Sequence, residues 1–118
     1  MKVATILLAC LLSAACQPGP PITPLIAAAR LGDTDSIAAL VKSGVDVNER
    51  GGVNNWTPLM HAVHKKQPAS VKALIAAGAD VNATAGARGR DTALRLAEIE
   101  GYTDIATMLR DHGARASQ

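Results

Sequence analysis

Apolar positions between Trp56 and Asn82 fall into two short helical series separated by a turn. Leu59, Ala62 and Val63 recur at the spacing that lines one face of a helix. Thr57 precedes them, with a hydroxyl suited to accept a backbone N–H at the helix start. Pro58 takes the first helical position, where its missing N–H costs nothing. Val71, Leu74 and Ile75 form the second series, just after Pro68. Gly78 ends it, because the exit from a helix favours a positive φ that glycine tolerates. The stretch predicts a helix, a turn, a helix and a Gly-rich extended exit.

The same unit occurs on both sides. Thr23-Pro24-Leu25 precedes Ala28, then Ile37, Leu40, Val41, Gly44 and Asn48. Thr92-Ala93-Leu94 precedes Ala97, then Ile105, Met108, Leu109, Gly113 and Ala114. The threonines stand at 23, 57 and 92, a period of about 34 residues. With Gly-Val-Asp-Val-Asn at 44–48 and Gly-Ala-Asp-Val-Asn at 78–82, this resembles the ankyrin repeat and its T-P-L-H-x-A signature. The resemblance runs from Ile22 to about Ala116. It implies an all-α ankyrin-repeat solenoid: three helix-turn-helix repeats, at about 23–55, 56–90 and 91–116, joined by β-hairpin loops.

The chain departs from the family pattern at several positions. Ile26, Met60 and Arg95 stand where the family usually has a histidine that ties loops together, so the loops need another tie. Lys66-Gln67 replaces the usual Gly-His between the helices of the middle repeat, whereas Gly32 and Gly101 keep the glycine. Lys66 is therefore expected at positive φ, a strained region for a residue with a Cβ. The spans from Asn48 to Thr57 and from Asn82 to Thr92 exceed the family's usual length, and both insertions fall in hairpin loops.

Composition narrows the function. There are 12 Lys and Arg against 10 Asp and Glu, a formal net charge of +2, which gives no nucleic-acid footprint. Trp56 and Tyr102 are the aromatic residues, too few for a base-stacking platform. The core must be aliphatic and rich in alanine. No cofactor is implied.

Residues 1–15 read as an export signal, with Lys2 as the charged start, Val3–Leu12 as the apolar region and Ser13-Ala14-Ala15 before the cut. The apolar run is shorter than the about 20 residues that span a bilayer as a helix. Leu-Ser-Ala-Ala-Cys resembles a lipoprotein signal, which implies lipidation at Cys16. Ordinary secretion with cleavage near Ala15 is the alternative. Gln17-Pro18-Gly19-Pro20-Pro21 is an extended tether, and the repeat domain occupies 22–118. Gln17 is not the aspartate that retains lipoproteins in the inner membrane, so the resemblance implies the outer membrane, facing the periplasm. Both cysteines, Cys10 and Cys16, precede the tether, so the mature repeats have no thiol for a disulfide, zinc site or nucleophile. Stability must come from stacking, and the last repeat is expected to leave part of Ile105, Met108 and Leu109 uncovered.

Candidate chemistry is sparse. His61 and His64 are spaced to share a helix face and could present two metal ligands, but no third is forced by spacing. The family pattern makes both groove-facing surface positions. His112 suits a helix C-terminus, where an imidazolium is favoured. Asp33 with Asp35, and Glu98 with Glu100, read as solvated charges. No nucleophile motif or phosphate-binding loop is present in the sequence. Gly86-Ala87-Arg88-Gly89-Arg90 is a basic hairpin tip suited to an acidic protein patch, not a nucleic-acid tract.

The concave face is the candidate site. Carried over from the family, it takes Arg30 and Leu31 from the first repeat, His61, His64 and Lys65 from the second, and Leu96, Ile99 and Glu100 from the third. The hairpins add Arg50, Asn54, Asn55, Trp56, Arg88, Arg90 and Asp91. Trp56 is either a partner anchor or the packed base of its hairpin. The reading is a non-enzymatic, monomeric module that binds a protein partner from a periplasmic lipid anchor, without nucleic acid, touching the membrane only through that anchor. The resemblance also permits an immunity or inhibitor protein against a secreted toxin or enzyme, or an accessory to periplasmic oxidative-stress protection. A metal enzyme using His61 and His64, and a structural envelope spacer, are the readings from other classes.

Overall fold

The computed structural model describes residues 21–52 and 54–115. The expected signal peptide, Cys16 and the tether as far as residue 20 lie outside the described residues. Six helices form three pairs: α1 (Pro24–Leu31) with α2 (Thr34–Lys42), α3 (Pro58–His64) with α4 (Pro68–Ala76), and α5 (Ala93–Glu100) with α6 (Thr103–Asp111).

Each first helix begins on a threonine. Thr23, Thr57 and Thr92 have extended backbones. Their hydroxyls accept the N–H of Ile26, Met60 and Arg95 at 3.2, 3.4 and 3.0 Å. A cap of this kind is worth about 1 kcal/mol. Pro24, Pro58 and Pro68 occupy the first helical turns, as their lack of a donor allows. The turn between paired helices needs a left-handed residue. Gly32 and Gly101 supply it, each at φ 76°, and Lys66 adopts φ 54° in the middle repeat as its sequence position predicts. Gly78 follows α4 at φ 96°.

The pairs stack in two rows. α1, α3 and α5 pack in succession on one side, and α2, α4 and α6 on the other. Leu25, Leu59 and Leu94 are buried along the inner row with Ala28, Ala62 and Ala97, whose small side chains let the rows approach. Ile37, Val71, Ile105, Leu74 and Leu109 close the core from the outer row.

The two ends differ from expectation. Ile105 and Leu109 are buried, and only Met108 remains half-buried. α6 turns this apolar face onto α4 and α5, which bury Ile105 and Leu109. Its exposed side is polar, and Arg110 pairs with Glu98 across 2.7 Å. Among the described residues the more open apolar end is the N-terminal one. There an open cleft of about 410 Å³ is lined by Pro24, Ala28, Leu31, Asp33, Ser36, Ala39 and Leu40.

The loops are hairpins in outline only. Among the described residues each is closed by a single antiparallel bridge, Gly51 with Trp56 and Ala85 with Asp91. Asn54 then accepts the N–H of Gly86 at its carbonyl, 3.2 Å away, joining one hairpin to the next. Side chains add further ties between repeats. Asn48 Oδ1 accepts the N–H of Asp80 at 2.8 Å, and Arg50 Nη1 donates to the carbonyl of Thr84 at 2.8 Å. Asn82 donates to the Gly113 carbonyl at 3.1 Å and accepts from Arg115 N at 2.9 Å. Gln67 Nε2 donates to the Arg30 carbonyl at 3.1 Å, on the far side of the stack from the hairpins' ties. Thr23 and Glu49 are hydrogen-bonded side chain to side chain within the first repeat.

Candidate functional site on the inner face

The inner face is built on Trp56. It closes the first hairpin and is 8% exposed. Its indole N–H donates to Asp91 Oδ2 at 2.9 Å, so the first hairpin is bonded to the base of the second. The rings of His61 and His64 lie edgewise to it, with centroids at 5.6 and 5.2 Å. Trp56 is therefore the packed base of its hairpin. It presents little surface to a partner and cannot act as a protruding anchor.

His61 departs from expectation in the same way. It is 5% exposed, and its Nε2 lies 2.9 Å from the Gly51 carbonyl. A carbonyl can only accept, so Nε2 carries the proton. A Cβ on Gly52 would come within 2.9 Å of His61 Cε1, which shows how closely the hairpin covers the ring. Burial lowers the His61 pKa from its ordinary value. The Gly51 hydrogen bond opposes that shift, and the charges of Arg30, His64 and Lys65 add to it. His61 thus supplies the loop tie that Met60, buried one position earlier, cannot make. His61 does not join His64 as an open ligand pair. Among the described residues no group of three or more His, Cys, Asp or Glu side chains is placed to hold a metal ion.

Leu96 is the third correction. It stands four residues after Thr92, as His61 stands four after Thr57, and it is likewise buried, at 8% exposed. It joins the core cluster that holds Trp56 and Ala85, so it is not groove surface. Leu31 and Ile99 remain open, at 77% and 65% exposed. Leu31 lines the N-terminal cleft, away from the inner one.

The geometry gathers Arg30, Asn54, Trp56, His61, His64 and Lys65 around one cleft of about 220 Å³. Arg30 comes from the last turn of α1, His64 and Lys65 from the end of α3, and Asn54 and Trp56 from the hairpin between them. Trp56 and His61 form a floor that hydrogen bonds hold in place. Arg30 is half-buried, and Asn54, His64 and Lys65 are exposed.

The other candidates lie elsewhere. Arg50 is exposed but engaged with Thr84. Asn55 is exposed at φ 54° in the hairpin turn. Arg88 and Arg90 are exposed in the second hairpin, and Asp91 is half-buried under the Trp56 indole. Glu100 is exposed at the end of α5. Asp33 caps α2, accepting from the Ser36 N–H at 3.1 Å and the Ser36 hydroxyl at 2.6 Å, and those bonds lower its pKa.

A second cleft, of about 250 Å³, was not foreseen. It lies between the turns of the second and third repeats and is lined by Lys66, Pro68 and Gly101–Ile105. Lys66 Nζ sits 5.4 Å from the centroid of the Tyr102 ring. The positive-φ turn at Lys66 was legible, but the partner of its ammonium was not. Asn48, Asn82 and Gln67 also escaped notice as ties between repeats, although the two asparagines stand at matching offsets.

A family model for ankyrin repeats in three copies matches residues 3–85. The chain belongs to the ankyrin-repeat family. The match stops at the second hairpin, and α5 with α6 repeats the helix-turn-helix geometry beyond it. No curated protein matches the chain. Ankyrin repeats are generally protein–protein interaction modules and typically non-enzymatic.

Proposed function

We propose that the protein is a binding module exported to the periplasm, held on the outer membrane through a lipid on Cys16, and gripping a partner protein with its inner face. The carrying observation is the cleft between the first two repeats. Its floor is fixed by hydrogen bonds from Trp56 and His61, and its rim is left to Arg30, Asn54, His64 and Lys65. A preformed surface loses little conformational entropy when a partner docks. The sequence of residues 1–16 supports export, and the absence of cysteine from residues 17–118 suits an oxidising compartment.

Capture from a native envelope extract tests this reading. The native chain is expected to retain one partner that an Arg30→Gln, Lys65→Gln, Arg90→Ala variant loses. Equal retention by both would move the site off the inner face, and no retention would favour a structural spacer. Fractionation tests the anchor separately. Cys16→Ser is expected to move the protein from the membrane to the soluble fraction, and a variant that stays bound would remove the lipid from the proposal.

A further inference from the structure

The cleft between the first two repeats has a one-sided charge. Arg30 and Lys65 line it together with His64 and the carboxamide of Asn54. No carboxylate lines it. Among the described residues Arg110 with Glu98 is the one ion pair, so neither Arg30 nor Lys65 has an acidic partner within salt-bridge reach there. Gln67 engages Arg30 through its backbone carbonyl, which leaves the guanidinium with the cleft. Asp91 accepts the Trp56 indole N–H and does not line the cleft. The charges felt by His61 say the same: Arg30, His64 and Lys65 all oppose its protonation, and no acid offsets them.

Beyond the cleft the signs are mixed, with Glu98 and Glu100 exposed on α5 and Lys42, Lys72 and Arg110 on the outer helices. The one-sided charge is therefore a property of the cleft, where Arg30 and Lys65 stand together without a carboxylate. A surface of one sign steers a partner of the other. A cleft of about 220 Å³ is too small for a helix and suits a side chain. Arginine's fork matches a carboxylate with two parallel N–H bonds, and a lysine ammonium beside it adds a point charge.

We infer that this cleft receives an aspartate or glutamate side chain from an acidic segment of the partner protein. The inference rests on the protein-binding reading of the inner face and names the partner's chemistry. The carboxylate meets Arg30 and Lys65, with Asn54 and His64 as further donors, above the floor of Trp56 and His61.

Trp56 is the sole tryptophan of the sequence, so its fluorescence reports on the cleft without a label. The full chain in non-ionic micelles is titrated with oligoglutamate, with oligoglutamine, and with inorganic phosphate. A saturable change is expected with oligoglutamate and none with oligoglutamine. Arg30→Gln and Lys65→Gln are each expected to weaken the interaction about tenfold. Lys72→Gln removes an exposed cation from the outer helix α4 and is expected to leave it within about twofold. Circular dichroism confirms that each variant keeps its helices.

The inference is overturned by no saturable change, by equal weakening with Lys72→Gln, or by inorganic phosphate acting at lower concentration than oligoglutamate. Envelope capture separates this outcome from the broader one. A partner retained by a protein that ignores oligoglutamate would sink the acidic segment and keep the protein-binding function.

Discussion

Ser70 lies in the first turn of α4, fully buried, and its hydroxyl has no hydrogen-bond partner among the described residues. Such a group forfeits its water without compensation, and alanine is the better helix former. Ser70→Ala should raise stability by about 1 kcal/mol, read as a shift in the urea midpoint. Lys66 carries a different strain. At φ 54° its Cβ crowds the backbone, and its ammonium over Tyr102 repays part of that. Alanine at 66 keeps the strain and loses the ammonium, whereas glycine relieves it. Lys66→Gly should therefore be more stable than Lys66→Ala by about 1 kcal/mol. His61 couples folding to pH. Its folded pKa is lowered, so the unfolded chain binds the proton more readily. The contribution of neutral His61 is full above the ordinary value of 6.5 and is lost as pH falls through the lowered folded value. Urea midpoints measured from about pH 7.5 down to about pH 5 should decline, and His61→Gln should flatten that decline.

Elements were legible in the sequence wherever a local rule fixed them. Thr23, Thr57 and Thr92 announce helix starts by their hydroxyls, and the apolar series behind them fix the buried faces. What was not legible is how far a loop folds back over a helix. The pattern puts His61 and Leu96 on the groove surface, and both are buried instead. The first hairpin then lies over His61 through Gly51 and Gly52, and Leu96 is drawn into the cluster with Trp56 and Ala85. Helical periodicity sees only neighbours along the helix, so a cover arriving from a longer loop leaves no trace in it. At the ends of α1 and α3 the hairpin's Asn54 and Trp56 line one cleft with Arg30, His64 and Lys65 but leave His64 and Lys65 exposed, as their sequence positions suggest. Trp56 shows what the cover is worth. Trp56→Phe keeps most of the ring and deletes the donor to Asp91, leaving a half-buried carboxylate without that bond. It should cost about 1–2 kcal/mol, with faster amide exchange at Ala85 and Asp91, whose bridge closes the second hairpin.

The whole stack is held by nearest neighbours, so its stability is close to a sum of units and junctions. The junction ties run mostly one way. Asn48 and Arg50 of the first repeat hold backbone groups of Asp80 and Thr84, and Asn82 of the second holds Gly113 and Arg115. Gln67, reaching back to Arg30, runs against this order. Asn82→Ala should therefore loosen the exit of the last repeat, raising amide exchange at Ala114 and Arg115, and leave α1 to α3 protected as before. A polypeptide leaves the ribosome from its N-terminus, and the ties of Asn48, Arg50 and Asn82 follow the same direction. Each of the two asparagines sits in a local turn of its own, its N–H accepted by Asp46 or Asp80, and reaches forward from there to the next loop. The finished stack resembles a course of bricks, in which the first two units each hold a loop of the next in place. An error in an early unit would be inherited by those after it, while an error in the last would be borne by that unit alone.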